Sequence, residues 1–206
     1  MCEIIAVTLT GLGKIAFMDI LNWRLPFISI AVLAWTAYVV YRSRRVPGML
    51  RYWGFRIDNS RASLRILLPI AIAAVVAFLV IGYFRGTINL TWHIFPVLLL
   101  YPIWGTIQQF LVIGLVAGNL RDIRSSRLSI HVIVFLTALL FGLVHYPSHW
   151  LMSGTFLLAL LYGYVYLRVR NVFILGLFHG WLGAVFFYTV VGRDPFLEVF
   201  GDWIGH

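Results

Sequence analysis

Four side chains that could carry chemistry lie within long apolar runs: Gln108, Gln109, His145 and His179. An amide donates and accepts hydrogen bonds, whereas a neutral imidazole can accept a proton or bind a metal ion. Strongly polar groups are expensive inside a membrane, so each of these residues is a candidate functional residue. No Asp or Glu lies deep within any of the apolar runs. Any site built there therefore depends on amides and imidazoles.

The composition predicts that these residues are positioned by transmembrane helices. Apolar residues make up 62% of the 206 positions and charged residues only 11%, whereas soluble domains carry about 25% charged residues. A helical span needs about 20 apolar residues. We therefore predict an all-α, polytopic transmembrane helix bundle with about six spans and short N-terminal and C-terminal helices. The spans are expected at 25–41, 64–84, 92–119, 128–146, 149–167 and 171–191.

The bundle is predicted to occupy residues 25–191. Residues 1–24 are expected to form a helix that lies in the membrane interface or packs on the bundle, because their apolar run is short. The tail 192–206 has the pattern of an amphipathic surface helix. Within the third span, Pro102 predicts a kink or a break near Tyr101.

Basic residues predict the orientation of the spans. Twelve of the 16 Lys and Arg residues lie in the alternate loops 42–65, 120–127 and 168–170, which the positive-inside rule places in the cytoplasm. Because membrane topology explains these clusters, the net charge of +9 does not indicate a nucleic-acid partner. We expect an integral protein of a prokaryotic cytoplasmic membrane.

Two glycine pairs with the spacing GxxxG accompany the polar residues: Gly114 with Gly118, and Gly176 with Gly180. This spacing allows two helix backbones to approach closely. One interpretation is helix packing alone, as in many membrane bundles. The other is that the contact made by the second pair also brings the two glutamines and His179 together.

Three blocks in order resemble a known family of intramembrane proteases. They are Gln108-Gln109 with Ile113, Phe141 with His145, and His179 with Gly183. The order resembles the CPBP family, the CAAX-processing and bacteriocin-processing (Abi) intramembrane proteases, and the resemblance implies a CPBP-like core at about 92–191. The pattern of that family reads Glu-Glu-x-x-x-Arg, then Phe-x-x-x-His, then His-x-x-x-Asn, each block on its own helix.

The resemblance implies a site made by the glutamate pair of the family pattern and the two histidines. In such a site one glutamate activates water, and the histidines hold a metal ion or polarise the scissile carbonyl. His145 and His179 would be the metal ligands here, at most half of a catalytic zinc site. The glutamates are replaced by Gln108 and Gln109, and an amide is neither a base near neutral pH nor a good zinc ligand. We therefore expect no cofactor, with zinc only if the family site is functional.

Three functions are compatible with the sequence. The one we favour is a member of this family that has lost catalysis and acts as an accessory or binding subunit of a membrane complex. The second is an active endopeptidase with altered chemistry, and the third is a small transporter or pigment-binding protein. The expected partners are the lipid bilayer and another transmembrane protein.

Overall fold

The computed structural model describes residues 2–123 and 128–204, and every regular element in these ranges is helical. This confirms the predicted all-α fold. Residues 124–127 of the predicted basic loop, and the last two residues of the predicted tail, lie outside the described residues. The α-helices are α1 Cys2–Gly13, α2 Arg24–Arg45, α3 Met49–Tyr52, α4 Ser60–Arg85, α5 Ile94–Gln108, α6 Gly118–Asp122, α7 Ile130–Leu143, α8 His149–Val169, α9 Val172–Phe186 and α10 Pro195–Ile204. Three further segments have π-helical hydrogen bonding: Lys14–Ile20, Gln109–Ala117 and Phe187–Val191.

Several helices are long and apolar enough to cross a bilayer. Five such segments occur in the described part of the chain: Arg24–Arg45, Ser60–Arg85, Ile94–Asp122, His149–Val169 and Val172–Val191. The shorter apolar helix Ile130–Leu143 lies where the fourth span, 128–146, was predicted. The chain is therefore an integral membrane protein, and the number of spans agrees roughly with the prediction.

The chain divides into two compact units. Unit 1 contains Met1–Arg56 and Phe110–Arg170, and unit 2 contains Ile57–Gln109 and Asn171–His206. Three of the predicted site residues, Gln108, Gln109 and His179, therefore lie in unit 2. The fourth, His145, lies in unit 1.

In unit 1, α7 and α8 form a helical hairpin. The Ser129 and Ser148 hydroxyls accept hydrogen bonds from backbone N–H groups in the first turns of α7 and α8, which satisfies donors that a helix start leaves unpaired. Gly142 and Gly163 lie at the contact between the two helices, where an added Cβ would meet Phe156 and Val134 respectively. Small residues thus allow these apolar helices to pack closely.

The N-terminal segment of unit 1 packs against the turn between α7 and α8. Lys14 Nζ donates to the Tyr146 carbonyl at 2.8 Å and pairs with Asp19 at 2.6 Å. Gly11 packs against the side chain of Val144. These contacts join the N-terminal segment to Val144 and to the turn that follows α7.

In unit 2, α5 continues through Pro102 without the predicted break. A proline removes the N–H that would bond the carbonyl four residues earlier, here that of Leu98. The indole Nε1 of Trp181 donates to that carbonyl at 3.1 Å, so the backbone acceptor is satisfied. The hydrogen-bonding pattern changes further along, at Gln109, where the π-helical turns begin.

The predicted orientation can be tested with single cysteines. In a Cys2→Ser background, we expect Arg44→Cys and Leu90→Cys to react with a membrane-impermeant maleimide from opposite sides of the membrane, because the positive-inside rule places the loop 42–65 in the cytoplasm. Both positions are exposed. Labelling of both cysteines from the same side would contradict the predicted topology.

Candidate functional site

The contact between α5 and α9 in unit 2 is made by glycines. A Cβ added to Gly176 would lie 2.6 Å from the backbone nitrogen of Thr106, and one added to Gly180 would lie 2.5 Å from the carbonyl carbon of Tyr101. Real Cβ atoms essentially never approach other atoms so closely. The two backbones are therefore in direct contact, as the GxxxG spacing predicted for this pair.

This close contact brings three of the predicted site residues together. His179 Nε2 lies 2.9 Å from Gln108 Oε1, and His179 Nδ1 lies 3.1 Å from Gln109 Nε2. We call these three residues the amide–histidine triad. The interpretation that the glycine contact joins the two glutamines to His179 is the one that the structure supports.

The partners of His179 define which ring nitrogen carries the proton. Gln108 presents a carbonyl oxygen, which only accepts, so Nε2 donates its N–H to it. Gln109 presents an amide N–H, so Nδ1 accepts with its lone pair. The neutral ring thus has one donor and one acceptor, and an amide group engages each of them.

The two glutamines differ in burial and in hydrogen bonding. Gln108 is half-buried, whereas Gln109 has no solvent-accessible surface. The Gln109 oxygen Oε1 has no hydrogen-bond partner within residues 2–123 and 128–204. An unpaired buried polar group lowers the stability of the folded protein by about 1–3 kcal/mol.

His145 lies outside the amide–histidine triad and belongs to unit 1. The helix α7 ends at Leu143, so His145 is in the turn that follows rather than within a span that reaches residue 146. Its Nδ1 lies 2.7 Å from the Phe141 carbonyl, which only accepts, so Nδ1 carries the proton. The Phe141 ring packs edge-on against the imidazole, with 5.1 Å between centroids.

These residues do not fit the zinc site that the resemblance implies. The Nδ1 lone pair of His179, which a metal ion would need, accepts from Gln109. Both side chains that contact this ring in the triad, Gln108 and Gln109, are amides, which are poor zinc ligands. In the described ranges, no group of three His, Cys, Asp or Glu side chains could hold a metal ion.

A second polar cluster in unit 2 surrounds Asp194. Its Oδ2 accepts from Thr91 Oγ1 at 2.8 Å and from His93 Nδ1 at 2.7 Å, and its Oδ1 accepts from Tyr188 Oη at 2.8 Å. Oδ1 also accepts from the backbone N–H of Phe196 at 3.0 Å, so Asp194 caps the start of α10. We call Asp194 and its three side-chain donors the Asp194 cluster.

Ionisation of Asp194 is strongly favoured. Burial alone would raise the pKa of this carboxyl, but the hydrogen bonds from His93, Thr91, Tyr188 and the helix backbone outweigh burial and lower the pKa to about 2. Sequence reasoning missed this cluster because an acidic residue after a span was interpreted as part of a solvated tail. The available signal was an Asp directly before Pro195, a pair that is typical of a helix start.

Comparison with known proteins bears directly on the segment that contains the triad. A family model described as type II CAAX prenyl endopeptidase Rce1-like matches residues 87–185. The match shows that this segment of the chain is similar to the Rce1-like family. No curated protein and no solved structure matches the chain significantly.

The Rce1-like segment contains all four predicted site residues, and its identification confirms the resemblance stated from the motifs. At the positions that the resemblance assigns to two glutamates, an arginine and an asparagine, this chain has Gln108, Gln109, Ile113 and Gly183. Ile113 is completely buried. No atom lies within 4 Å of a Cβ added to Gly183, so at this position the small residue is not required by packing.

Proposed function

We propose that this Rce1-like protein is a membrane-embedded binding subunit without endopeptidase activity. The observation that supports this most strongly is the amide–histidine triad. Its two side chains at the family's glutamate positions are amides, and both hydrogen-bond the same imidazole. We place the protein in a prokaryotic cytoplasmic membrane, with the Arg-rich loops on the cytoplasmic face.

Hydrolysis of a peptide bond needs a group that takes a proton from water. A carboxylate does this near neutral pH, but an amide does not, and the loss of a general base costs typically 10²–10⁴ in rate. The basic nitrogen of His179 accepts from Gln109 and would have to lose this bond before it accepted a proton from water. Both effects oppose catalysis at this position.

Binding has different requirements. Helix association in a membrane relies on close packing at small residues and on hydrogen bonds between helices, and it needs no carboxylate. The contact between α5 and α9 already has this character. An accessory role therefore uses the features that the chain has retained, and it does not depend on the glutamates.

The absence of peptidase activity is directly testable. We expect the full-length protein, reconstituted in vesicles, to leave a quenched fluorescent peptide with a prenylated C-terminal Cys-a-a-X sequence uncleaved. We also expect no cleavage by the double variant Gln108→Glu/Gln109→Glu, because Ile113 and Gly183 still depart from the family pattern.

The matched control for this assay is His179→Ala, which removes the only imidazole of the triad. Cleavage by the wild-type protein that His179→Ala abolishes would contradict the proposal and would favour an endopeptidase with altered chemistry. Equal, background-level signals from all three proteins are the expected result.

A further inference from the structure

The Gln109 side chain carries a hydrogen-bond acceptor that its own unit does not use. Its amide N–H donates to His179, whereas Oε1 has no partner in the described part of the chain. The residue is fully enclosed, and Leu or Met would fill similar space without leaving a polar atom unpaired. A buried, unsatisfied acceptor points to a donor that comes from another molecule.

The backbone at Gln109 supports the same interpretation. α5 ends at Gln108, and Gln109 is the first residue of a π-helical segment that continues to Ala117. The π-helical pattern is rare and occurs frequently at functional sites. The unpaired oxygen and the change in helix geometry are independent observations, and they coincide at one residue.

We propose that Gln109 Oε1 accepts a hydrogen bond from a polar side chain in the transmembrane helix of a partner protein. This inference rests on the proposed binding function and specifies the chemistry of the partner. Within a regular transmembrane helix the backbone N–H groups are already bonded internally. The donor is therefore a side-chain amide, hydroxyl or indole, from Asn, Gln, Ser, Thr or Trp.

Access to this oxygen requires a local rearrangement. Gln109 Oε1 exposes less than 1 Å², so neither water nor a partner reaches it in this arrangement. Gln108 is only half-buried, so its hydrogen bond to His179 is the more accessible of the two in the triad. Binding thus exchanges one amide–imidazole hydrogen bond for a bond to the partner.

Synthetic transmembrane peptides provide a probe whose only variable is the donor. We would use a Lys-flanked, Leu-rich helix of about 20 residues with one central Asn, and the same peptide with Leu at that position. The full-length protein would carry a fluorophore on Cys2, its single cysteine, which is exposed. Energy transfer in vesicles then reports association with each labelled peptide.

The wild-type protein is expected to bind the Asn peptide roughly three- to tenfold more tightly than the Leu peptide, the range of one interhelical hydrogen bond in a membrane. Gln109→Met should abolish this preference. Gly183→Ala is the control variant, because it lies on α9 outside the triad and its added Cβ would have nothing within 4 Å, and it should retain the preference.

Equal binding of the two peptides by the wild-type protein would overturn the inference. A preference that survives in Gln109→Met, or that both variants lose, would likewise show that this oxygen is not the acceptor. These failures are distinguishable from failure of the proposed function, which peptide cleavage would reveal.

Discussion

Replacing Gly180 by alanine should lower the thermal unfolding midpoint of the purified protein by roughly 10 °C, corresponding to a loss of about 3 kcal/mol. The added Cβ would lie 2.5 Å from the Tyr101 carbonyl carbon. Backbone atoms cannot move aside as a flexible side chain can, so α5 and α9 must separate. Separation also breaks the hydrogen bonds between His179 and the two glutamines.

Gly183→Ala is the matched control for Gly180→Ala. It lies on the same helix and makes the same chemical change, but its added Cβ would have nothing within 4 Å. We expect its unfolding midpoint to match that of the wild-type protein within about 2 °C. Equal midpoints for the two variants would show that α5 and α9 do not pack through Gly180.

Replacing Asp194 by alanine should have the second large effect: it should lower the free energy of unfolding by about 3 kcal/mol. Hydrogen bonds to a charged group contribute about 1.5–3 kcal/mol each, and the donors left without a partner add a desolvation cost. The hydroxyls of Thr91 and Tyr188 and the His93 ring all lose their acceptor. The start of α10 also loses its cap, so protease cleavage within 195–204 should become faster.

Glu198→Gln provides the comparison for Asp194→Ala. Glu198 lies in the first turn of α10, which Asp194 caps, but its carboxylate is partly exposed and pairs with the exposed Arg193. Such surface pairs contribute about 0–1 kcal/mol. An Asp194→Ala midpoint as high as that of Glu198→Gln would contradict the stabilising role of the Asp194 cluster.

The pH dependence of stability gives a separate test of the same cluster. Because the pKa of Asp194 is lowered from 3.8 to about 2, its ionised form stabilises the folded protein above pH 3.8, and this contribution is lost as the pH falls towards 2. The shift corresponds to about 2 kcal/mol. Asp194→Asn cannot titrate there, so its midpoint should fall less steeply than that of the wild-type protein between pH 4 and pH 2.

The positions of the spans could be predicted because the membrane imposes length and composition. The fifth predicted span, 149–167, is close to α8 at His149–Val169, and the sixth, 171–191, is close to Val172–Val191. The contact between the glutamines and His179 could also be anticipated. Only glycines allow two backbones to touch, and the Gly176–Gly180 pair flanks that histidine.

Other features depend on contacts that a single sequence does not reveal. Pro102 indicated a break, but the Trp181 indole satisfies the carbonyl that the proline leaves unpaired. The π-helical turns at Gln109 are a matter of hydrogen-bond register and leave no mark in composition. The Asp194 cluster joins residues about a hundred positions apart, Thr91 and His93 to Asp194, so only the fold brings them together.

Purification of the protein with its native partners tests most directly whether the amide–histidine triad belongs to a binding subunit. The protein would be tagged at native expression, purified in mild detergent and analysed by native mass spectrometry. We expect a stoichiometric complex with another membrane protein that Gln109→Ala and His179→Ala weaken and that Gly183→Ala leaves intact. Detection of the protein without a partner, or of a complex that all three variants retain equally, would contradict a role as a binding subunit.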